Sequence, residues 1–428
     1  MSALLTDLYE LTMAAGYFSA GKHQDIATFE LSVRRLPAHR DFILVAGLQQ
    51  ALEYLANLRF TADEIAYLRG LAQFRNADPA FFDYLANFRF TGNVFAVPEG
   101  TPMFAGEPIM TIKAPIIEAQ IPETYLLSII TFQTLIATKA ARVAGAAQGR
   151  DVYEFGTRRA HSPEAGVLGA RASYIGGCAG TSNTLAGFRY GIPVVGTAAH
   201  SWVMSFESET EAFRQLQKLL GESTVQLIDT YDTLEGARRV IALGEPLFAV
   251  RIDSGDFVAL SREVRALLDA AGMSHVKIML SGDLNEDRIQ NLLADGAPVD
   301  SFGVGTELAT SADAPSMGAI YKIVELESNG VSRATAKFSA EKASLPGAKQ
   351  VFRYSDRDLV ACSGECACGA EALQKPVMVN GQILCHRTPD QSRQRAQKMM
   401  SAIDLANHMV EYSQDLQELS RKVREETR

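Results

Sequence analysis

The feature that most constrains this chain is a rhythm that begins at residue 151. Short apolar runs, each followed by a turn and most by a helical pattern, recur at Val152–Phe155, Pro193–Gly196, Val225–Ile228, Leu247–Ile252, Val276–Leu280 and Val299–Gly303. A further run at Ala319–Val324 extends the series. Helical patterns over Glu211–Leu220, Phe257–Ala271 and Asn285–Ala294 separate several of them. Repeated βα units of this spacing predict a parallel sheet with helices outside. Six or seven of them in succession predict a closed or nearly closed barrel. An open doubly wound sheet is the alternative, but no GxGxxG opens the first helix.

In such a barrel the chemistry sits at the carboxyl ends of the strands. Here those ends are polar. Phe155 runs into Gly156-Thr157-Arg158-Arg159, Val195 into Gly196-Thr197-Ala198-Ala199-His200, and Ile228 into Asp229-Thr230-Tyr231-Asp232. Arg251-Ile252 runs into Asp253-Ser254-Gly255-Asp256, Leu280 into Ser281-Gly282-Asp283, and Phe302 into Gly303-Val304-Gly305-Thr306. Glycine turns expose backbone N–H groups to a phosphate. Aspartates suit a ribose diol or Mg²⁺ on a pyrophosphate. Arginines bind carboxylate and phosphate bidentately, and an aromatic ring stacks on a flat heterocycle. Each signal alone has a plain structural reading. Arg158 and Arg159 could be a solvated pair, His200 a core histidine, and Asp-Ser-Gly-Asp a helix cap. Their coincidence at successive strand ends favours one functional mouth.

The rest of the chain reads differently. Residues 6–18 are helical by pattern, with Asp7 and Glu10 resembling a capping box. Residues 26–60 mix short strands and helices, and residues 92–114, with three Pro and three Gly, read as a turn-rich antiparallel segment. The uncharged stretch 124–138 is too short to span a bilayer and reads as a buried helix. The early Asp7 and Glu10 and the missing basic segment argue against a signal peptide, so the expected compartment is the cytoplasm, without membrane attachment. A formal net charge of −9 makes nucleic acid an unexpected partner, so anions must be met by local arginines and amides. After residue 330 the pattern is strand-like and irregular, and 390–428 reads as surface helix.

Five cysteines are present. Cys178 stands alone, whereas Cys362, Cys366, Cys368 and Cys385 crowd together. In a reducing compartment four nearby thiolates suit a structural, tetrahedral Zn²⁺, with His386 a substitute ligand and free thiols the plain alternative.

The quoted strand ends also carry a family resemblance. Thr6-Asp7-Leu8-Tyr9-Glu10-Leu11-Thr12-Met13, Glu154-Phe155-Gly156-Thr157-Arg158-Arg159, Gly196-Thr197-Ala198-Ala199-His200-Ser201, Asp229-Thr230-Tyr231-Asp232-Thr233, Arg251-Ile252-Asp253-Ser254-Gly255-Asp256 and Leu345-Pro346-Gly347-Ala348-Lys349-Gln350-Val351 resemble, in order, the nicotinate phosphoribosyltransferases. The resemblance implies an α/β chain of the type II phosphoribosyltransferase fold. An α/β N-terminal domain (1–114, completed by about 331–358) would stand beside an irregular (β/α) barrel (115–330). A small C-terminal region (359–428) would hold the cysteine quartet, as a zinc knuckle does in some members, and a helical tail.

The resemblance further implies a homodimer, or a higher homo-oligomer, with active sites shared between subunits. Phe155 and a partner's Tyr9 would sandwich the pyridine ring of nicotinate. Arg158 and Arg251 would face carboxylate and phosphates. Asp253, Gly282 and Asp283 would hold the ribose, Asp229 would help place Mg²⁺-pyrophosphate, and Gly303, Gly305 and Thr306 would cradle the 5′-phosphate of phosphoribosyl pyrophosphate. His200, Arg251 and Asp253 would be catalytic. His200 matches the histidine that ATP phosphorylates in this family; Asp253 or Asp229 could fix its tautomer. In the related nicotinamide enzymes an aspartate follows the Gly-Thr of the short barrel segment. Here Ser182 follows Gly180-Thr181, and a hydroxyl can donate to a carboxylate that an aspartate would repel.

Overall fold

The computed structural model describes residues 2–339 and 343–427. The chain divides into two compact units. One takes the chain up to Leu135 and again from Ser316; the other runs Ile136–Pro315. The expected boundaries at 114/115 and 330/331 therefore lie away from the observed ones, and residues 359–427 fold with the first unit rather than alone.

The second unit is the parallel one. Its strands are β1 (Asp151–Glu154), β2 (Gly180–Thr181), β3 (Val225–Leu227), β4 (Ala249–Ile252), β5 (Lys277–Ser281) and β6 (Ser301–Val304), in the order β2-β1-β6-β5-β4-β3. Each strand is short because both faces are covered, so an apolar run needs only enough residues to cross the core. Val152, Val250, Ile252, Ile278, Leu280 and Phe302 pack with Phe213, Val240, Val264, Leu268 and Ile289 of the surrounding helices. Truncating a fully buried ring such as Phe302 should cost about 3–5 kcal/mol.

The sheet is a half-barrel and does not close. The run Pro193–Gly196 forms no strand; it makes a single parallel bridge, Val194 to Thr181. Pro193 lacks an amide donor, and Gly196 adds no side chain to pack. Beyond it, the chain brings His200 Nδ1 to 3.2 Å from Thr230 Oγ1, three residues past the end of β3. The last expected barrel strand is also reassigned. Ala319–Ser328 pairs antiparallel with Ile26–Val33 in the first unit. Its burial is interrupted along its length, unlike the fully buried β6, as befits an antiparallel strand with one partly solvated face.

Helix starts explain half of the polar strand ends. Asp232, Asp256 and Asn285 accept backbone N–H groups at the N-termini of Thr233–Leu243, Phe257–Ala270 and Glu286–Ala294. The residues just before them, Asp229, Asp253 and Asp283, hold no cap.

The first unit is built on a seven-stranded antiparallel sheet. Its order is Val331–Ala334, Ala319–Ser328, Ile26–Val33, Pro108–Pro115, Asn93–Ala96, Lys375–Val379, Gln382–Ile383. A second, four-stranded sheet joins Glu371–Ala372, Lys349–Arg353, Arg357–Cys362 and Met409–Tyr412, the last a strand inside the segment expected to be helical. Helix Leu8–Ser19 starts at Asp7, which makes no side-chain cap. Asp7 and Glu10 instead accept from the Thr124 hydroxyl at 2.6 and 2.8 Å. Residues 124–138 lie within helix Glu123–Ala146. The stretch Ile116–Ala146 is apolar and long enough to cross a membrane, but most of it is buried in the protein.

Candidate active site

The carboxyl edge of the half-barrel opens into a cavity of about 630 Å³. Phe155, Arg158, Ser182, His200, Arg251, Asp253, Gly282, Asp283, Gly303, Gly305 and Thr306 all line it. Thirteen of the residues singled out in the sequence were expected at one mouth, and these eleven are brought there by one unit of one chain. Asp229 stands just behind: its Oδ2 accepts from the Asp253 N–H at 3.0 Å and the Ser254 hydroxyl at 2.8 Å. Tyr9 lies in the other unit, half exposed on helix Leu8–Ser19.

Arg251 organises the centre. It leaves β4 with its Nη2 2.5 Å from Asp253 Oδ1. Its Nε donates to Ser281 Oγ at 2.7 Å and its Nη1 to Thr197 Oγ1 at 2.9 Å. The Ser281 hydroxyl donates in turn to Asp253. Burial works to raise the Asp253 pKa, but the Ser281 hydroxyl, Arg251 and His200 outweigh it and hold the carboxyl below its usual range. Asp253 is therefore an anion at neutral pH, and Arg251 is fixed by three partners.

His200 is partly exposed. Its Nδ1 lies 3.2 Å from Thr230 Oγ1, and its Nε2 lies 3.9 Å from Asp253 Oδ2. Thr230, rather than either aspartate, is the group at hydrogen-bond distance from the ring. Asp229 is engaged elsewhere, by Ser254 and the Asp253 amide.

Phe155 lines the cavity, with the Arg251 guanidinium 5.7 Å from its ring centre. Gly303 makes this possible. A Cβ there would lie 2.5 Å from the Phe155 ring. Gly303 is thus a buried strand residue that seats the ring, whereas Gly305 and Thr306 open the short helix Thr306–Thr310 that follows β6. Gly282 has φ +94°, and a Cβ on it would lie 2.1 Å from the Asp253 carbonyl oxygen, so the Ser281–Asp283 turn can lie against the end of β4 only as glycine.

Ser281, Thr197 and Arg159 line the cavity too, though their residue types and spacing carry no assigned role. Ser281 and Arg159 stood inside the polar strand ends, and their position was the available signal. Thr197 had the same signal, but its contact with Arg251 depends on how the 196–200 segment crosses.

The cysteine quartet is not gathered. Cys362 ends a strand of the four-stranded sheet, with Cys366 and Cys368 in the exposed turn that follows. Cys385 follows the hairpin Lys375–Val379/Gln382–Ile383 on the seven-stranded sheet, beside His386, whose Nδ1 lies 2.8 Å from Gln49 Nε2. Among the described residues no group of three or more His, Cys, Asp or Glu side chains is arranged to hold a metal ion. The donor set therefore does not fit the expected zinc.

A parallel half-barrel whose carboxyl edge gathers arginines, aspartates, glycine turns and an aromatic ring defines an α/β enzyme of anionic, ribose-bearing substrates. Residues 4–131 match the N-terminal domain of nicotinate phosphoribosyltransferase (NAPRTase), and residues 151–361 match the NAPRTase family. The chain belongs to the nicotinate phosphoribosyltransferase family. It is 45% identical over 416 residues to nicotinate phosphoribosyltransferase pncB2 of Mycobacterium tuberculosis, covering 94% of this chain and 88% of that one. It is 44% identical over 379 residues to the Bacillus subtilis nicotinate phosphoribosyltransferase, covering 85% and 76%. The crystal structure of human nicotinic acid phosphoribosyltransferase is similar with a TM-score of 0.85 and 27% identity, covering 98% of this chain and 99% of that chain.

Proposed function

We propose that this mouth transfers phosphoribose from phosphoribosyl pyrophosphate to nicotinate, giving nicotinate mononucleotide and pyrophosphate, a reaction of NAD biosynthesis. The observation that carries the reading is one rim that joins Phe155, Arg251, Arg158 and Ser182. A flat apolar face, two cations and a neutral hydroxyl suit a planar ring that bears a carboxylate.

The reaction needs no general base. The bond between C1 of the ribose and the pyrophosphate oxygen breaks, and the pair leaves with pyrophosphate. The lone pair of the pyridine nitrogen forms the new C1–N bond, and no proton moves. Positive charge builds on the sugar as in glycoside hydrolysis. Asp253, held ionised beside Arg251, and Asp283 suit the ribose hydroxyls at that stage. Gly305 and Thr306, with the backbone after Gly303, suit the 5′-phosphate. Arg251 and Arg158 oppose the charge of the departing anion.

A Mg²⁺ held on phosphoribosyl pyrophosphate would supply charge neutralisation for the departing pyrophosphate. Asp229 fits a place beside it, because its Oδ1 is buried without a hydrogen-bond partner among the described residues. ATP would phosphorylate His200 at the ring nitrogen not facing Thr230. Two subunits would complete the site, a partner's Tyr9 covering the second face of the pyridine ring.

The test is incubation of the purified protein with nicotinate, phosphoribosyl pyrophosphate and Mg²⁺, with and without ATP. Nicotinate mononucleotide is the expected product, in larger yield with ATP. Equal turnover of nicotinamide would overturn the reading of Ser182, and no turnover of either base would overturn the whole.

A further inference from the structure

Behind the rim, two loops that carry its specificity groups are joined by a ring of hydrogen bonds. Glu154 ends β1 and is 2% exposed. One carboxylate oxygen accepts the Thr181 hydroxyl at 2.6 Å, and the other accepts the Gly156 N–H. Its carbonyl oxygen accepts the Ser182 N–H at 2.9 Å. Thr181 Oγ1 accepts the Asn183 N–H at 2.9 Å, and Asn183 Nδ2 donates to Thr157 Oγ1 at 3.1 Å. The ring thus runs from Glu154 through Gly156 and Thr157 to Asn183 and Thr181, and back. Arg158 leaves it on one side and Ser182 on the other.

We infer that Glu154 is a positioning residue that sets the spacing between Arg158 and Ser182, and so the preference of the site for a ring carboxylate. The inference rests on the reading of the site given above. Both Glu154 oxygens are occupied and turned into the protein, so the carboxylate organises the rim without presenting its charge to the cavity. Burial raises its pKa, and the Thr181 and Gly156 donors only partly oppose that. A carboxylate with two fixed donors is a stiffer joint than a neutral side chain of the same size. The ring touches the loops after β1 and β2, whereas the Asp253, Asp283 and Gly305 contacts lie on the loops after β4, β5 and β6. Loosening it should therefore affect the base more than the phosphoribosyl donor.

Thr181→Val removes the hydroxyl that bridges Glu154 and Asn183 while keeping the shape of the side chain. Thr181→Ser restores the hydroxyl, and Thr157→Val opens the ring at its other, less buried joint. Steady-state kinetics of the intact, full-length enzyme with nicotinate, nicotinamide and phosphoribosyl pyrophosphate provides the readout. Thr181→Val should raise KM for nicotinate about tenfold, keep KM for the donor within about twofold, and narrow the nicotinate-over-nicotinamide ratio of kcat/KM. Thr157→Val should move the same quantities in the same direction by less, and Thr181→Ser should stay near wild type. If Thr181→Val does not fold, Thr157→Val and Glu154→Gln decide the matter by the same split. Equal rises in both KM values, or unchanged selectivity in folded variants, overturn the inference alone. Wild-type enzyme that ignores nicotinate overturns the parent reading, and this inference with it.

Discussion

Two of the arginine–aspartate pairs among the described residues have similar geometry and opposite use. At the mouth, Arg251 Nη2 stands 2.5 Å from Asp253 Oδ1, with side chains 14% and 28% exposed. In the first unit, Arg353 Nε stands 2.8 Å from Asp358 Oδ1, and those side chains are 4% and 0% exposed. Around the second pair, Glu107 is fully buried, and His408 Nε2 lies 3.1 Å from Asp358 while its ring stacks on Phe104. The inner pair is enclosed by other core groups and joins strands of the small sheet. The outer pair keeps reachable donors and acceptors beside an open cavity. Residue type and pairing alone do not mark a site; what marks one is a fixed charge that a ligand can still reach.

The sharpest way to break this comparison is to remove one partner from each pair. Arg251→Ala should lower kcat/KM by roughly 10²–10³-fold, because a preorganised cation at the departing anion is lost. Its melting temperature should change little, since Asp253 can turn to water and Ser281. Asp358→Ala should do the reverse. It leaves Arg353 buried without its counter-ion, at a cost of about 3–5 kcal/mol, while activity per folded molecule stays near wild type. Denaturant melts and initial rates on both variants check the pair. An unstable Arg251→Ala with normal rates would reverse the assignment of the two clusters.

His200→Ala tests the mouth one layer further out. ATP hydrolysis and acid-labile phosphate on the protein should disappear. Transfer of phosphoribose should persist at a rate lower by roughly tenfold, because breaking the bond depends on Arg251 and the magnesium-bound pyrophosphate rather than on the imidazole. The melting temperature should hold, since the ring is partly exposed and, among the described residues, has Thr230 as its one hydrogen-bond neighbour. Normal ATPase activity in the folded variant would falsify the phosphohistidine role.

Much of this arrangement is legible in the sequence, and the illegible parts have physical reasons. Apolar runs that end in polar residues place β1 and β3 to β6 because a covered parallel strand is mostly apolar. β2 is invisible, since two residues, Gly180 and Thr181, carry no period. The run at Ala319 looks like one more barrel strand because a short apolar run does not reveal its partner. At each strand end, aspartates serve two purposes that composition does not separate: Asp253 stays at the mouth while Asp256 caps a helix. The cysteine spacing misleads for a related reason. Between Cys368 and Cys385 the hairpin at 375–383 joins a different sheet, so nearness in sequence is not nearness in space. Ser281 gained its role only when the fold placed it between Arg251 and Asp253.

A smaller effect concerns the base. Ser182→Asp should raise KM for nicotinate by about tenfold and bring nicotinamide turnover closer to it, since a carboxylate on the rim repels one base and accepts from the amide of the other. Ser182 is exposed in the cavity, so the change should leave stability unaltered. Unchanged selectivity would move the discrimination to Arg158 and the ring of bonds behind it.

The smallest expected effect belongs to the inner cluster and concerns pH. Burial raises the pKa of Glu107 well above its usual range, the neighbouring Asp358 adds to this, and the Phe104 N–H and Arg353 only partly oppose it. Asp358 goes the other way: burial is outweighed by Arg353, Glu107 and His408, and its carboxyl is held low. Glu107 therefore keeps a proton in the fold that the unfolded chain gives up near the ordinary glutamate pKa of about 4.3. Its contribution is complete below that value and declines as pH rises toward the raised pKa, because the native state then binds more protons than the unfolded one. Asp358 contributes above about pH 3.9, its ordinary value, and loses that contribution as pH falls through its lowered one. Glu107→Gln should remove the first slope only. The amide can donate to Asp358 and still accept from the Phe104 N–H, which now reaches Glu107 Oε2 at 2.7 Å. The variant should gain on the order of 1 kcal/mol over wild type at pH 8 and little at pH 5. Melting temperatures across that range check it. Parallel curves for the two proteins would mean that Glu107 is ionised in the fold, and that the inner cluster is balanced by Arg353 and His408 instead.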